Sequence, residues 1–428
     1  MPTHRFNQLC SIAGLLFLVL TIGGKTAWYA YRGLPQAADY PQYYMGGLIA
    51  RHGAWEALYP IPNANSETNP GFAENSELRP RYRELARRAG VEENAVRYMQ
   101  PPPFALLLVP LALLPYELSF YLWIALLTLA AWGIGLQAAK IFTLSLGRET
   151  RWAGLIVLLV CLSPQAHRWV RVGNMSVLLG WLIGYATLEL VRRDSWRGAA
   201  AVVVGGVAKY AILVLGPLHL VMRRWRTIAW GVAFAAILLG ASRVLMPRGP
   251  DGPYAVFFRD IAPTLTRTGS VTENQALYPA MMRMLGVERP PLPGPVAIGF
   301  RVAQFGSLLA ILALIAIKRR DYWHESAHVF AAALALMSWL LVFSPICWEH
   351  YHAYLAPFWG WLVYQGTRSR VRMLVAWLAI AMSYLPTSLL LHQVAGGRYR
   401  LPEPLFSHLL CAAVLMLGMS IYSLRGRT

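Results

Sequence analysis

Charge is scarce in this 428-residue chain. Only 14% of its residues are Asp, Glu, Lys or Arg, against about 25% in a soluble globular domain. That composition argues against a soluble enzyme. Acid is rarer still: 20 Asp and Glu stand against 39 Lys and Arg, and only 4 of those cations are lysines. The four cysteines, Cys10, Cys161, Cys347 and Cys411, lie far apart with no CxxC or Cys/His ligand spacing. A disulfide scaffold or zinc site is not indicated, and they read as small residues of apolar helices. No glycine-rich phosphate loop stands between a strand and a helix, so a nucleotide-binding domain is absent.

What is abundant is hydrophobic sequence. It makes up 57% of the chain and recurs in long runs almost free of charge, as membrane-spanning helices require. The expected class is an all-α polytopic membrane protein. A net charge of +19 raises the question of nucleic acid, but the cations sit in short clusters between apolar runs. That is the pattern of cytoplasmic loops, and it argues against a nucleic-acid partner.

The clusters set a topology. Residues 9–24 follow His4 and Arg5, lack a clean small-residue cleavage site and continue into an aromatic belt. They read as an uncleaved span with a cytoplasmic N-terminus rather than a signal peptide. Lys25 snorkels at the outer interface, and Asp39 then lies outside. Arg148 and Arg151, Arg192, Arg193 and Arg197, Arg223, Arg224 and Arg226, Lys318 to Arg320, Arg368, Arg370 and Arg372, and Arg425 and Arg427 all fall inside on one self-consistent path. Two segments cannot then be full crossings. Residues 198–221 lie between two basic clusters and contain "GGVAKYA", which reads as a broken hairpin of two short helices lining a cavity. Residues 103–114, bounded by prolines, are too short to span and dip in from outside. The sum is a single membrane domain, 1–428, with ten full crossings, two short or re-entrant elements and both termini cytoplasmic. The exterior receives the loops 32–102 and 246–295 and the turn "SPICWEHYH" at 344–352.

Every polar constellation falls on that outer side. Asp39 precedes "YPQYYMGGLIARHG" and has two readings: a helix N-cap, or a base taking a proton from a hydroxyl nucleophile at the membrane surface. Tyr43 and Tyr44 stack on a sugar or anchor the interface. In the 344–352 turn, ionisable groups at an interface are costly and so suggest function. His350 would hydrogen-bond a phosphate oxygen or, protonated, neutralise it. Glu349 would orient His350 or contact a sugar hydroxyl, and Trp348 belongs to the same aromatic turn, which otherwise reads as an interfacial belt. His350 and His352 do not share a helical face, which argues against metal. Lys209, deep in an apolar region, reads as the counter-charge of an anionic ligand. Arg168 and Arg171, in "QAHRWVRVGNMS", bind phosphate or are simply solvated. Asn274 and Gln275 bind sugar hydroxyls or form a loop turn. Asn174-Met175-Ser176 matches a glycosylation sequon formally and reads better as a helix opening.

Six stretches in order resemble integral-membrane glycosyltransferases of the GT-C superfamily: "ADYPQYYMGGLIARHGAWEALY" at 38–59, "YMQPPPFALLLVPLALLPY" at 98–116, "RVGNMSVLLGWL" at 171–182, "GGVAKYAILVLGPLHLVMRRWR" at 205–226, "ENQALYPAMMRML" at 273–285 and "SPICWEHYHAYLAP" at 344–357. More narrowly they resemble glycosyltransferase family 87, the polyprenyl-phosphate-mannose-dependent mannosyltransferases that include the phosphatidylinositol-mannoside-extending enzyme of mycobacteria. The chain departs from the family pattern at Asn174 (commonly Gln), Tyr210 (commonly Pro) and Glu349 (often Asp).

The resemblance implies a GT-C-type fold in a bacterial cytoplasmic membrane, with its active site on the periplasmic or outer side. It implies inverting transfer of a mannosyl or other hexosyl group from a polyprenyl-phosphate donor to a glycolipid or glycan acceptor, with Asp39 as base. His350 and Lys209 carry over to the donor phosphate. No cofactor is required, because the lipid phosphate is already the leaving group and cationic side chains can stabilise it. Two other classes compete: a transporter or flippase of lipid-linked sugars, suited by broken helices and a midplane lysine, and a ligase or polymerase of lipid-linked saccharides. The absence of a convincing internal repeat and the one-sided polar sites favour the transferase.

Overall fold

The computed structural model describes residues 1–31, 39–61, 78–91, 97–192, 195–264, 274–287, 291–317, 325–345, 347–384 and 407–425. Arg193, Lys318 to Arg320, Arg427 and much of the 32–102 loop lie outside these residues.

Within them the protein is helical, and the one β-pairing is an isolated bridge between Asn274 and Trp348. In chain order the α-helices of six residues or more are α1 (Thr3–Tyr31), α2 (Tyr40–Arg51), α3 (Pro80–Ala89), α4 (Pro102–Leu107), α5 (Tyr116–Leu146), α6 (Trp152–Cys161), α7 (Pro164–Val172), α8 (Ser176–Arg192), α9 (Trp196–Ala208), α10 (Gly216–Val221), α11 (Trp225–Leu245), α12 (Leu277–Met284), α13 (Gly294–Ile317), α14 (Ser326–Phe343), α15 (Trp359–Gly366), α16 (Arg370–Tyr384) and α17 (His408–Arg425). Their boundaries follow local chemistry. Ser163 and Ser195 cap α7 and α9 by accepting the N–H of Ala166 and Gly198, and prolines open α2, α3, α4 and α7, where the missing N–H costs nothing.

Among the described residues, six helices are long and apolar enough to cross a membrane: α1, α5, α11, α13, α14 and α17. The α6–α7 pair, bent by 46°, makes a seventh if counted as one span. Burial separates them. Most of α14 and much of α5 are enclosed, whereas α11 and α13 are exposed over most of their length. In a chain this apolar, an exposed face of Val232, Ile237, Val302, Phe305 and Leu309 faces lipid.

Two expected interruptions are present. α9 ends at Lys209, whose backbone is extended (φ −153°, ψ 123°), and a 3-10 turn (Tyr210–Leu215) and α10 follow. Gly205 and Gly206 sit against Ile212 and Leu213, so the 3-10 turn packs against the end of α9. Residues 102–113 form only α4 and one 3-10 turn.

The bundle has two distinct ends. At one, Arg151 reaches the Met1 carbonyl (2.8 Å), Arg224 the Leu190 carbonyl (3.2 Å) and Gln365 the Ser423 hydroxyl (3.2 Å). Arg151 and Arg224, and Arg192 and Arg368 close to these contacts, belong to clusters expected to be cytoplasmic. At the other, α2 meets the start of α5 through Tyr40, Tyr44 and Tyr116. The Gln275 N–H bonds the Cys347 carbonyl (2.7 Å), and the Tyr384 hydroxyl bonds the Leu162 carbonyl (3.0 Å).

Candidate active site

Asp39 stands at the N-cap position of α2 but does not cap it. Its Oδ2 accepts a 2.7 Å hydrogen bond from the Asn174 amide nitrogen, and among the described residues no hydrogen bond reaches its other oxygen. This geometry decides against the capping reading: the carboxylate turns inward to a partner 135 positions along the chain. It is buried, and burial pushes its pKa up, with the Asn174 hydrogen bond and the Lys209 charge pulling the other way. Desolvation wins, because a charge taken from water loses more than one amide and one indirect cation return.

Asn174 is placed by a left-handed turn. α7 ends at Gly173 (φ +71°), a conformation that glycine adopts without strain. α8 then opens with the Asn174 Oδ1 accepting the Ser176 N–H (2.9 Å) and hydroxyl (2.7 Å). The sequon reading therefore gives way to helix opening, as expected.

Lys209 arrives from the break after α9. Its Nζ donates to the Asn174 Oδ1 (3.3 Å) and the Ser176 hydroxyl (3.2 Å) and lies 4.3 Å from the Tyr351 ring centre. Two acceptors and a ring face together satisfy an ammonium otherwise costly at this depth. Tyr351 stacks on Tyr354 (5.6 Å), whose hydroxyl is 3.4 Å from that of Ser176.

The 349–354 turn approaches this closely because α8 presents Gly180 and Gly184. A Cβ at Gly180 would sit 2.5 Å from the Ala353 carbonyl oxygen, and one at Gly184 would meet the Gln137 amide and Pro357. Small residues four apart let backbone pack on backbone in a membrane.

The other expected site residues separate into groups. Tyr43 is part of the centre, its hydroxyl accepting the Met175 N–H (3.3 Å). Tyr44 turns to the 111–116 turn, bonding the Leu114 carbonyl (3.0 Å). Arg168 pairs with Glu349 (Nε to Oε2, 2.9 Å), and Gln165 donates to the other Glu349 oxygen (3.4 Å). His350 packs edge-on to Tyr351. Burial, with Lys209 and Arg168 nearby, holds its pKa well below the usual histidine range, so it offers a neutral imidazole for hydrogen bonding rather than a charge. Arg171 is exposed on α7. Asn274 ties two loops together, accepting the Cys347 N–H (2.8 Å) and donating to the Pro345 carbonyl (3.1 Å). It faces Trp348 across the β-bridge, with Gln275 beside it. Among the described residues no three His, Cys, Asp or Glu side chains gather as a metal site would require.

Ser176, named before only in the formal sequon, Tyr351, named only as part of the aromatic 344–352 turn, and Tyr354 join the centre. The only signal pointing to them is physical: a lysine in an apolar region needs polar or aromatic partners.

No curated protein matches this chain. The family model for glycosyltransferase family 87 matches residues 98–345, more than half of the sequence. Arg168, Asn174, Ser176 and Lys209 fall inside the match, and Asp39 and the 349–354 turn flank it. The chain is a membrane-helix member of glycosyltransferase family 87.

Proposed function

We propose that the protein is an inverting hexosyltransferase, moving mannose or a related hexose from a polyprenyl-phosphate sugar to a lipid or glycan acceptor. The observation that carries this reading is the buried Asp39 carboxylate, held by Asn174 and raised in basicity by its surroundings. Asp39 takes the proton of an acceptor hydroxyl. The oxygen forms its bond to the anomeric carbon as the bond from that carbon to the lipid phosphate breaks. The electron pair leaves on polyprenyl phosphate, and the configuration inverts. His350 as a hydrogen-bonding group and the positive charge of Lys209 favour the departing phosphate, with Arg168, paired to Glu349, beside them. Tyr43 and the Glu349–Trp348 turn border the sugar.

The proposed topology is ten crossings and two short elements in one membrane domain of a bacterial cytoplasmic membrane, with both termini inside and the Asp39 end outside. Its support is that Arg151 and Arg224, from two of the basic clusters, make their contacts at the end opposite Asp39.

The test is transfer by the full-length protein in lipid nanodiscs. It would be supplied with membrane lipid extract and either labelled polyprenyl-phosphate-mannose or a labelled nucleotide-mannose. Label should enter a glycolipid from the lipid-phosphate donor alone. Transfer from the nucleotide sugar alone, or from neither, would refute the reading.

A further inference from the structure

The cation and the candidate base at the centre do not touch: each is bonded to a different end of one amide. An asparagine side chain has an accepting oxygen and a donating nitrogen, and the surrounding network decides which way it points. Around the Asn174 Oδ1 stand three donors, the Ser176 N–H, the Ser176 hydroxyl and the Lys209 ammonium, at 2.9, 2.7 and 3.3 Å. Turned the other way, the amide would set its N–H groups against these donors and its oxygen against the Asp39 carboxylate. Only one orientation is tolerable, and it aims the nitrogen at the Asp39 Oδ2, 2.7 Å away. Lys209 is itself fixed by the Ser176 hydroxyl and by the Tyr351 ring.

We propose that Asn174 is a positioning residue for the base: locked by Lys209 and the start of α8, it clamps one oxygen of Asp39 and leaves the other to meet the acceptor. Lys209 thus acts on Asp39 through Asn174, besides its long-range field. The amide's length keeps the ammonium out of a direct ion pair, which would hold the carboxylate ionised and depress its basicity. This inference rests on the reading of Asp39 as the base.

The titratable groups facing the pair are Tyr43 from α2 and Lys209 from the α9 break, with His350, Tyr351 and Tyr354 behind Lys209. Removing Asn174's donor withdraws a hydrogen bond to the charged form of Asp39. Removing Lys209 withdraws both the lock and a positive charge. Both changes raise the pH at which Asp39 ionises.

The experiment is an infrared titration of the Asp39 carboxyl band in the full-length protein in nanodiscs, without donor. The band is identified by its loss in Asp39→Asn. Asn174→Leu should move the midpoint upward by about one pH unit, and Lys209→Met should move it the same way. In transfer assays with polyprenyl-phosphate-mannose, Asn174→Leu should lower kcat about tenfold or more while donor KM changes less than about threefold. A purely structural role would lower the melting temperature without moving the midpoint. An unchanged midpoint in a folded Asn174→Leu protein overturns the proposal. Should that variant not fold, an unchanged midpoint in Lys209→Met overturns it equally. If the midpoints move but the wild type transfers no sugar, the transferase reading fails and the clamp on Asp39 stands.

Discussion

Two carboxylates at the same end of the bundle have cations nearby and are held in opposite ways. Glu349 meets Arg168 directly at 2.9 Å, with Gln165 on its second oxygen. Asp39 is separated from Lys209 by the Asn174 amide and keeps an oxygen that no described residue hydrogen-bonds. A carboxylate in direct ionic contact with a guanidinium is an architectural group, because its charge is matched where it stands. A buried carboxylate held by a neutral amide costs more to ionise and binds a proton more readily. The contrast separates the group that supports the turn from the group that can do proton chemistry.

The sharpest break of the comparison is to neutralise each acid in turn. Asp39→Asn should lower sugar transfer by about 10²- to 10⁴-fold, the usual contribution of a positioned base. Glu349→Gln should keep transfer within about tenfold of wild type, because it alters only the setting of the turn. Equal losses in initial-rate assays would erase the distinction.

Stability should show the reverse order. Glu349→Gln removes the charge that Arg168 pairs with, and thermal melting in detergent should record a loss of about 1–3 kcal/mol, less than for a fully buried pair because Arg168 is partly exposed. Asp39→Asn should melt close to wild type. Gly180→Val belongs to the same class of effect. Its new side chain collides with the Ala353 carbonyl, which should cost about 1–3 kcal/mol and lower activity by displacing Tyr351 from Lys209.

A smaller effect is expected in pH dependence. Asp39 must be ionised to accept a proton, and its pKa is raised. The acid limb of kcat should therefore lie above the ordinary aspartate value of about 3.9, with activity lost as pH falls through that limb. His350 is held neutral across the same range, so His350→Gln should remove no break near the usual histidine pKa. The smallest effect is Arg171→Ala. The residue is exposed on α7, and transfer should stay within about twofold; a large loss would place Arg171 in the phosphate site with Arg168.

The two acids also show what was legible in advance. Asp39, Lys209 and Glu349 stand out because charge is rare in this chain and expensive in an apolar setting, and the broken α9–α10 hairpin is announced by "GGVAKYA". The long spans α5, α11, α13 and α14 follow from apolar length alone. What the letters conceal is pairing at a distance. Asn174 reads as a helix opener, which it is, but its bond to Asp39 depends on how α2 lies across the start of α8. Tyr351 reaches Lys209, and Tyr354 reaches Ser176, because Gly180 and Gly184 admit the 349–354 turn, a tertiary fact. Asn274, expected to bind sugar hydroxyls or to form a turn, spends its amide on the backbone groups of Pro345 and Cys347, 71 and 73 positions away.

The most direct measurement is a single turnover of donor bound beforehand. Wild type and Asp39→Asn would be loaded with labelled polyprenyl-phosphate-mannose in nanodiscs and then mixed with acceptor lipid. The account expects both proteins to bind donor equally, with a burst of glycolipid from the wild type and none from the variant. A burst of wild-type rate and size from Asp39→Asn would contradict it.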